Sequence, residues 1–108
     1  MRNDIQINLG QRIKDLRKIK GLSQEVFAEK IGIATKTLSS IETGNAFMTS
    51  QTLEKILEIL DITPNELFTF PEQMTNDDMY SYILKKLEFV KNDKERLKIF
   101  YNFAKSLY

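Results

Sequence analysis

One short segment of this 108-residue chain is rich in polar side chains whose chemistry is hydrogen bonding and not covalent catalysis. Its hydroxyl, ammonium and amide groups are those of Thr35, Lys36, Thr37, Ser39, Ser40, Thr43 and Asn45. At 100° per residue of a helix, most of them share the side opposite Ala34, Leu38 and Ile41, which we expect to point at the core. Such a polar face can donate to and accept from the edges of DNA bases, and Lys36 can donate to guanine O6 or N7.

The composition argues against catalysis, because the chain has no cysteine and no histidine. This excludes disulfides, thiolate or imidazole metal sites, and Ser/His or Cys/His catalytic pairs. We therefore expect that the protein is not an enzyme and that it has no catalytic residue and no cofactor. Glu54, Glu58 and Asp61 recur at the spacing that the solvated face of an amphipathic helix produces. No other class of ligand accompanies these carboxylates, so no metal site is predicted.

Two short helices joined by a tight turn must position the polar segment. Ser23 is a candidate N-cap for the first of them, and Gly32 can adopt the positive φ that the turn needs. The apolar positions expected to face the core are Phe27, Ala28, Ile31, Ile33, Leu38 and Ile41. This pattern predicts a helix-turn-helix, whose second helix enters the DNA major groove. Gln24, in the first turn of the first helix, could hold a phosphate oxygen with its amide and nearby backbone N–H groups.

Hydrophobic periodicity predicts an all-α fold, with five helices followed by a helical pair. The first helix is expected over residues 8–20, the fourth from Thr49 or Ser50, and a short fifth from the capping box at Thr63. Leu67 and Phe68 are expected to close the core. The predicted organisation is a DNA-binding domain over residues 1–70, a linker over 71–76, and a C-terminal helical hairpin over 77–108.

The two C-terminal helices are too short to be stable alone in water, so they must pack on the domain, on each other, or on a second chain. Apolar residues recur along them at Met79, Ile83, Leu87, Leu97, Phe100, Phe103 and Leu107. We interpret these residues as the seam of a homodimer. A seam formed by the fifth helix is the alternative.

The net charge is only +1, which is low for a nucleic-acid-binding domain. Residues 1–45 have eight Lys or Arg against five Asp or Glu, whereas residues 46–74 have one against five. The positive excess therefore coincides with the predicted helix-turn-helix, and we expect short-range contacts to dominate DNA affinity. No apolar run is long enough for a signal peptide or a membrane span, so a cytoplasmic location and no membrane partner are expected.

Spaced positions between Leu9 and Phe68 together resemble the Xre family, the repressor domains like phage lambda repressor and Cro. The matching residues are Gly21, Leu22, Ser23, Gln24, Ala28, Gly32, Ile41, Glu42, Gly44, Leu53 and the element from Pro64 to Phe68. The resemblance implies a five-helix lambda-repressor-like DNA-binding domain. It implies that Thr35, Lys36 and Ser40 contact base edges and that Thr43 and Asn45 contact the DNA backbone. It also implies that Arg17 and Glu42 form a structural ion pair that orients the recognition helix, the second helix of the motif.

The chain departs from the family pattern at both ends of the recognition helix. Ala34 stands where the family commonly has a serine or threonine N-cap, a loss of about 1 kcal/mol. The loop over residues 45–48 has no Lys or Arg, and Met48 stands where proline is usual. Each missing cationic phosphate contact lowers the salt dependence of binding by about one unit of slope. Phe47 and Met48 either form an apolar patch at a dimer seam or pack against the fourth helix.

These observations predict a sequence-specific transcriptional regulator that binds double-stranded DNA through the major groove. One recognition helix covers only a few base pairs, so we expect a homodimer on a palindromic operator, acting as a repressor. The alternative is a protein-interaction module, such as an antitoxin, whose C-terminal helices bind a partner protein.

Overall fold

Side chains cap most of the helix starts in the computed structural model, which describes residues 4–107. The hydroxyl of Ser23 accepts a hydrogen bond of 3.1 Å from the backbone N–H of Val26. Thr49 caps its helix in the same way. Thr63 and Glu66 form a complete capping box, as the sequence predicts.

The described residues form seven α-helices and contain no strand, so the all-α prediction is confirmed. The helices are α1 (Asp4–Ile19), α2 (Gln24–Ile31), α3 (Thr35–Glu42), α4 (Ser50–Leu60), α5 (Pro64–Leu67), α6 (Asn76–Val90) and α7 (Lys94–Ser106). A single 3₁₀ turn, Pro71–Gln73, lies between α5 and α6. No helix of the described chain is long and apolar enough to cross a membrane.

The chain divides between Glu72 and Gln73 into two compact units. The first unit contains α1 to α5 around one hydrophobic core. Its buried side chains come from all five helices and from two connecting segments: Leu9, Ile13, Phe27, Ala28, Ile31, Leu38, Ile41, Met48, Ile56, Leu60, Leu67 and Phe70. The apolar face predicted for the helix-turn-helix is therefore the inner face of α2 and α3.

Two boundaries differ from the sequence prediction. Helix α1 begins at Asp4 instead of residue 8, and the aspartate carboxylate in its first turn suits the positive end of the helix dipole. Helix α6 begins at Asn76, one residue inside the predicted linker over 71–76. Thr75 and Asp78 form a capping box there, which fixes the start of that helix.

The prediction that Phe68 closes the core is wrong. Helix α5 has only four residues, and Phe68 is its C-cap, with 41% of the residue exposed. Phe70 is buried instead, and its ring centroid lies 6.2 Å from that of Phe68. Leu67 is fully buried, as predicted.

The second unit contains α6 and α7, which contact each other. Val90 is buried in α6, whereas α7 has no buried residue. Large apolar side chains stay exposed on both helices, including Phe89 at 80% and Phe103 at 65%. This unit leaves much of its apolar surface uncovered.

Candidate nucleic-acid interface

The turn between α2 and α3 is built on Gly32, which has φ 91° and ends α2 in the left-handed region. The N–H groups of Gly32 and Ile33 both donate to the carbonyl of Ala28, at 2.9 and 3.0 Å. A side chain on residue 32 would be strained at this φ. The backbone then extends through Ala34, and α3 begins at Thr35. Two eight-residue helices are thus held in a helix-turn-helix.

Helix α3 presents a polar face to solvent. Lys36 and Thr37 are exposed, and Thr35, Ser39 and Ser40 are half-buried. Leu38 and Ile41 lie on the other side of the helix in the core. The five polar residues of this helix that were predicted to bind DNA therefore lie on one short helix whose opposite face is anchored, and Lys36 is the one Lys or Arg among its residues.

The N-terminal end of α3 has no side-chain cap. Ala34 occupies the N-cap position with φ −69° and ψ 147°, and it makes no side-chain cap hydrogen bond. The expectation that Ala34 points at the core is wrong: the residue lies outside the helix and is exposed. The first N–H groups of an α-helix have no acceptor within it.

The C-terminal end of α3 is closed by its own polar residues. The Thr43 hydroxyl donates to the carbonyl of Ser39 at 2.9 Å and accepts from Asn45 Nδ2 at 3.0 Å. The backbone N–H of Asn45 donates to the carbonyl of Ser40 at 2.9 Å. Thr43 and Asn45, both predicted to contact the DNA backbone, are exposed and fixed to each other.

Arg17 and Glu42 form a buried, two-pronged ion pair between α1 and α3. Arg17 Nε donates to Glu42 Oε2 at 2.7 Å, and Arg17 Nη2 donates to Glu42 Oε1 at 3.0 Å. Arg17 Nη1 donates to the carbonyl of Leu22 at 2.8 Å, ahead of α2. Both side chains are more than nine-tenths buried, so removing one partner would leave a buried charge unpaired.

Gln24 is the first residue of α2, and its side chain takes part in this pair. Gln24 Nε2 donates to Glu42 Oε1 at 2.9 Å, an interaction between residues 18 positions apart that the sequence did not indicate. The structure directs one of the N–H donors of this amide inward to Glu42, while the residue stays half-buried at the surface. The predicted phosphate contact of Gln24 stays a prediction.

Two glycines, Gly10 and the family-matching Gly44, let α1 approach the C-terminal end of α3 closely. A Cβ on Gly10 would overlap the carbonyl oxygen of Ile41 and lie 2.7 Å from that of Glu42. A Cβ on Gly44, which has φ 78°, would lie 2.9 Å from the Cα of Ile7. A glycine inside a helix often marks such a close backbone approach, so the signal was present at Gly10.

The loop after α3 resolves one open alternative. Met48 is buried in the core, whereas Phe47 is 54% exposed. The two residues therefore do not form a shared surface patch. The acidic residues of α4 do not assemble a site either, since no group of His, Cys, Asp or Glu within residues 4–107 could hold a metal ion.

The residues that form this interface fall within a match to a known family, described as a helix-turn-helix domain, over residues 10–72. The control protein C.MunI from Mycoplasma sp is 47% identical over 68 residues, 62% of this chain and 92% of that protein. The restriction-modification controller protein C.AhdI from Aeromonas hydrophila has a structure similar at TM-score 0.54 and 36% identity, covering 56% and 92% of the two chains. The biofilm regulator SinR, solved in complex with DNA, matches at TM-score 0.52 and 45% identity, covering 55% and 95%.

Proposed function

This chain belongs to the helix-turn-helix family of DNA-binding transcriptional regulators, and we propose that it is a repressor that binds a palindromic operator as a homodimer. A regulator of this kind works on DNA in the cytoplasm, where we place it. The observation that carries the proposal is the exposed polar face of α3, anchored from behind by Leu38 and Ile41.

The proposed base contacts come from the polar face of α3. Lys36 has a long, exposed cationic side chain, which suits a guanine O6 or N7 acceptor. The hydroxyls of Thr35, Thr37, Ser39 and Ser40 can donate or accept, so each discriminates weakly between bases. We therefore expect one strongly preferred guanine in each half-site, with softer preferences around it.

The proposed backbone contacts lie at both ends of the helix-turn-helix. Gln24 begins α2, where backbone N–H groups can hold a phosphate oxygen. Thr43 and Asn45 follow α3, and the hydrogen bond between their side chains holds these two polar groups together. All three side chains are uncharged. Because they release no counterions, we expect DNA affinity to depend on salt less steeply than in a domain with several cationic phosphate contacts.

The proposed dimer seam lies on α6 and α7. Six aromatic residues there are between 38% and 80% exposed: Tyr80, Tyr82, Phe89, Phe100, Tyr101 and Phe103. At about 200 Å² of surface for each, they leave roughly 700 Å² uncovered, which approaches the roughly 800 Å² per partner of a stable interface. Ile99, Phe103 and Leu107 follow one another at intervals of four residues and are all more than 60% exposed, so they form one stripe along α7. We propose that a second copy covers this stripe.

Selection of duplexes from a randomised DNA pool, at two salt concentrations, tests the proposed function. An enriched palindrome would support dimeric, sequence-specific recognition and would give the half-site spacing. Retention without enrichment, by protein shown to be folded, would contradict it.

The seam is tested by substituting Phe103 with aspartate and measuring mass in solution by sedimentation. The matched control is Asn102→Asp, which adds the same charge at an exposed position outside the stripe. We expect Phe103→Asp to shift the protein to monomer and the control to leave the dimer intact. A dimer that survives Phe103→Asp would place the seam elsewhere, for example on α5.

The second candidate function is a protein-interaction module, favoured by the same uncovered surface of α6 and α7. Replacing Lys36 and Ser40 with alanine separates the two candidates. A DNA-binding regulator should lose operator recognition, whereas a module that acts through its C-terminal helices should retain its activity.

A further inference from the structure

The carboxylate of Glu42 receives three hydrogen bonds from two different helices. Arg17 supplies two of them, and Gln24 Nε2 supplies the third, at 2.9 Å to Oε1. Glu42 is the last residue of α3, Gln24 is the first residue of α2, and Arg17 lies in α1. One buried side chain therefore connects the recognition helix to the end of α2 that faces the DNA backbone in our proposal.

This bond restricts how the Gln24 amide can point. The amide nitrogen must face Glu42, because the amide oxygen would be repelled by the carboxylate. The same nitrogen has a second N–H, and Gln24 is half-buried, so part of its side chain still contacts solvent. The loss of side-chain freedom takes place when the protein folds, and a phosphate that binds afterwards meets a donor already in position.

We propose that Glu42 is a positioning residue that holds the Gln24 amide so that its second N–H donates to a DNA phosphate. The inference rests on the proposed function and assigns Glu42 a role besides its pairing with Arg17. Since α3 ends at Glu42, the phosphate contact and the base contacts are fixed to one another, and a phosphate seated on Gln24 sets the depth and register of α3 in the groove.

A mutant cycle tests this coupling. Affinities for the enriched operator and for an unrelated duplex are measured for the wild-type protein, Gln24→Ala, Glu42→Leu and the double variant. We expect Gln24→Ala to weaken binding about tenfold per half-site, equally on both duplexes, because a phosphate contact carries no sequence information. In the Glu42→Leu background, Gln24→Ala should change affinity by less than about twofold, since leucine has no acceptor and the amide is no longer held.

The matched control is Gln11→Ala. Gln11 lies in α1 and donates to Asp15 at 2.9 Å, which is the same glutamine-to-carboxylate bond at an exposed position of the same domain. This substitution should leave DNA affinity unchanged. Two results would overturn the proposal. One is a Gln24→Ala variant that binds DNA as tightly as the wild type. The other is a double variant whose loss of affinity equals the product of the two single losses. Wild-type protein that binds neither duplex would instead refute the proposed function.

A second measurement covers the case in which Glu42→Leu does not fold. In the wild-type protein, NMR resolves the two Nε2 protons of Gln24 during titration with operator DNA. We expect one proton to shift as the phosphate binds, while the proton bonded to Glu42 keeps its position. A shift of both, as the amide leaves Glu42 to reach the DNA, would overturn the proposal.

Discussion

Gly10→Ala sets two physical effects against each other at the contact between α1 and α3. Alanine in a helix is favoured over glycine by about 1 kcal/mol, so propensity alone predicts a more stable protein. The Cβ would overlap the carbonyl oxygen of Ile41 and approach that of Glu42 to 2.7 Å. An ordinary contact needs more than 3.4 Å, so α1 must withdraw from α3 by about 1 Å.

The atoms that would have to yield belong to the backbone of α3, not to flexible side chains. Overpacking of this kind costs about 1 to 3 kcal/mol, and the rigid backbone places the cost near the upper end. After the gain in helix propensity, we expect a net loss of about 2 kcal/mol in the free energy of unfolding. This corresponds to a fall of about 1 M in the urea midpoint.

The assay is urea unfolding at one fixed protein concentration, because the proposed dimerisation would make the midpoint depend on concentration. The control is Lys18→Ala, an alanine substitution at an exposed position of α1, which should change the midpoint little. DNA affinity of Gly10→Ala, measured where the variant is folded, should also fall, since α3 moves relative to α2. A midpoint equal to or above that of the wild type would refute the close approach.

Three further substitutions address the recognition helix and its support. Ala34→Ser should raise the free energy of unfolding by about 1 kcal/mol, because it supplies the missing cap of α3; an unchanged urea midpoint would count against an uncapped helix. Lys36→Ala should cost about 1 to 3 kcal/mol in operator binding and relax the preference at one position per half-site, as read by competition with single-base variants; equal loss on all sequences would indicate a phosphate contact instead. Arg17→Met should cost about 3 to 5 kcal/mol by stranding Glu42, and a second substitution, Glu42→Leu, should recover much of that loss in thermal unfolding. If the second substitution restores no stability, the loss in Arg17→Met comes from lost packing and not from the unpaired charge of Glu42.

Local rules predicted the elements whose causes lie within a few residues. Ser23 caps α2 through a bond that spans three positions, and Gly32 ends the same helix through its own φ. The missing side-chain cap at the start of α3 was likewise predicted from the alanine at position 34. In each case the residue that causes the structure is the residue that shows the pattern.

Features that depend on distant residues were missed or misplaced. Whether Phe68 or Phe70 enters the core depends on where a four-residue helix stops and on what its neighbours leave open. The inward bond of Gln24 depends on Glu42, which becomes its neighbour only after α2 and α3 fold against each other. Periodicity describes which face of a helix is apolar, but it does not tell which polar side chain will meet another across a turn.

The two ends of α3 differ in how firmly they are held, and this difference bears on recognition. The C-terminal end is fixed by the Glu42 network, by the backbone approach at Gly10 and by the bonds of Thr43. The N-terminal end, which carries Lys36, has no side-chain cap. An eight-residue helix is unstable by itself, so its order comes from tertiary contacts, and the hydrogen bonds and close backbone approach named above all lie at its C-terminal end. We expect the fixed end to set the register on the phosphates while the uncapped end adjusts to the bases.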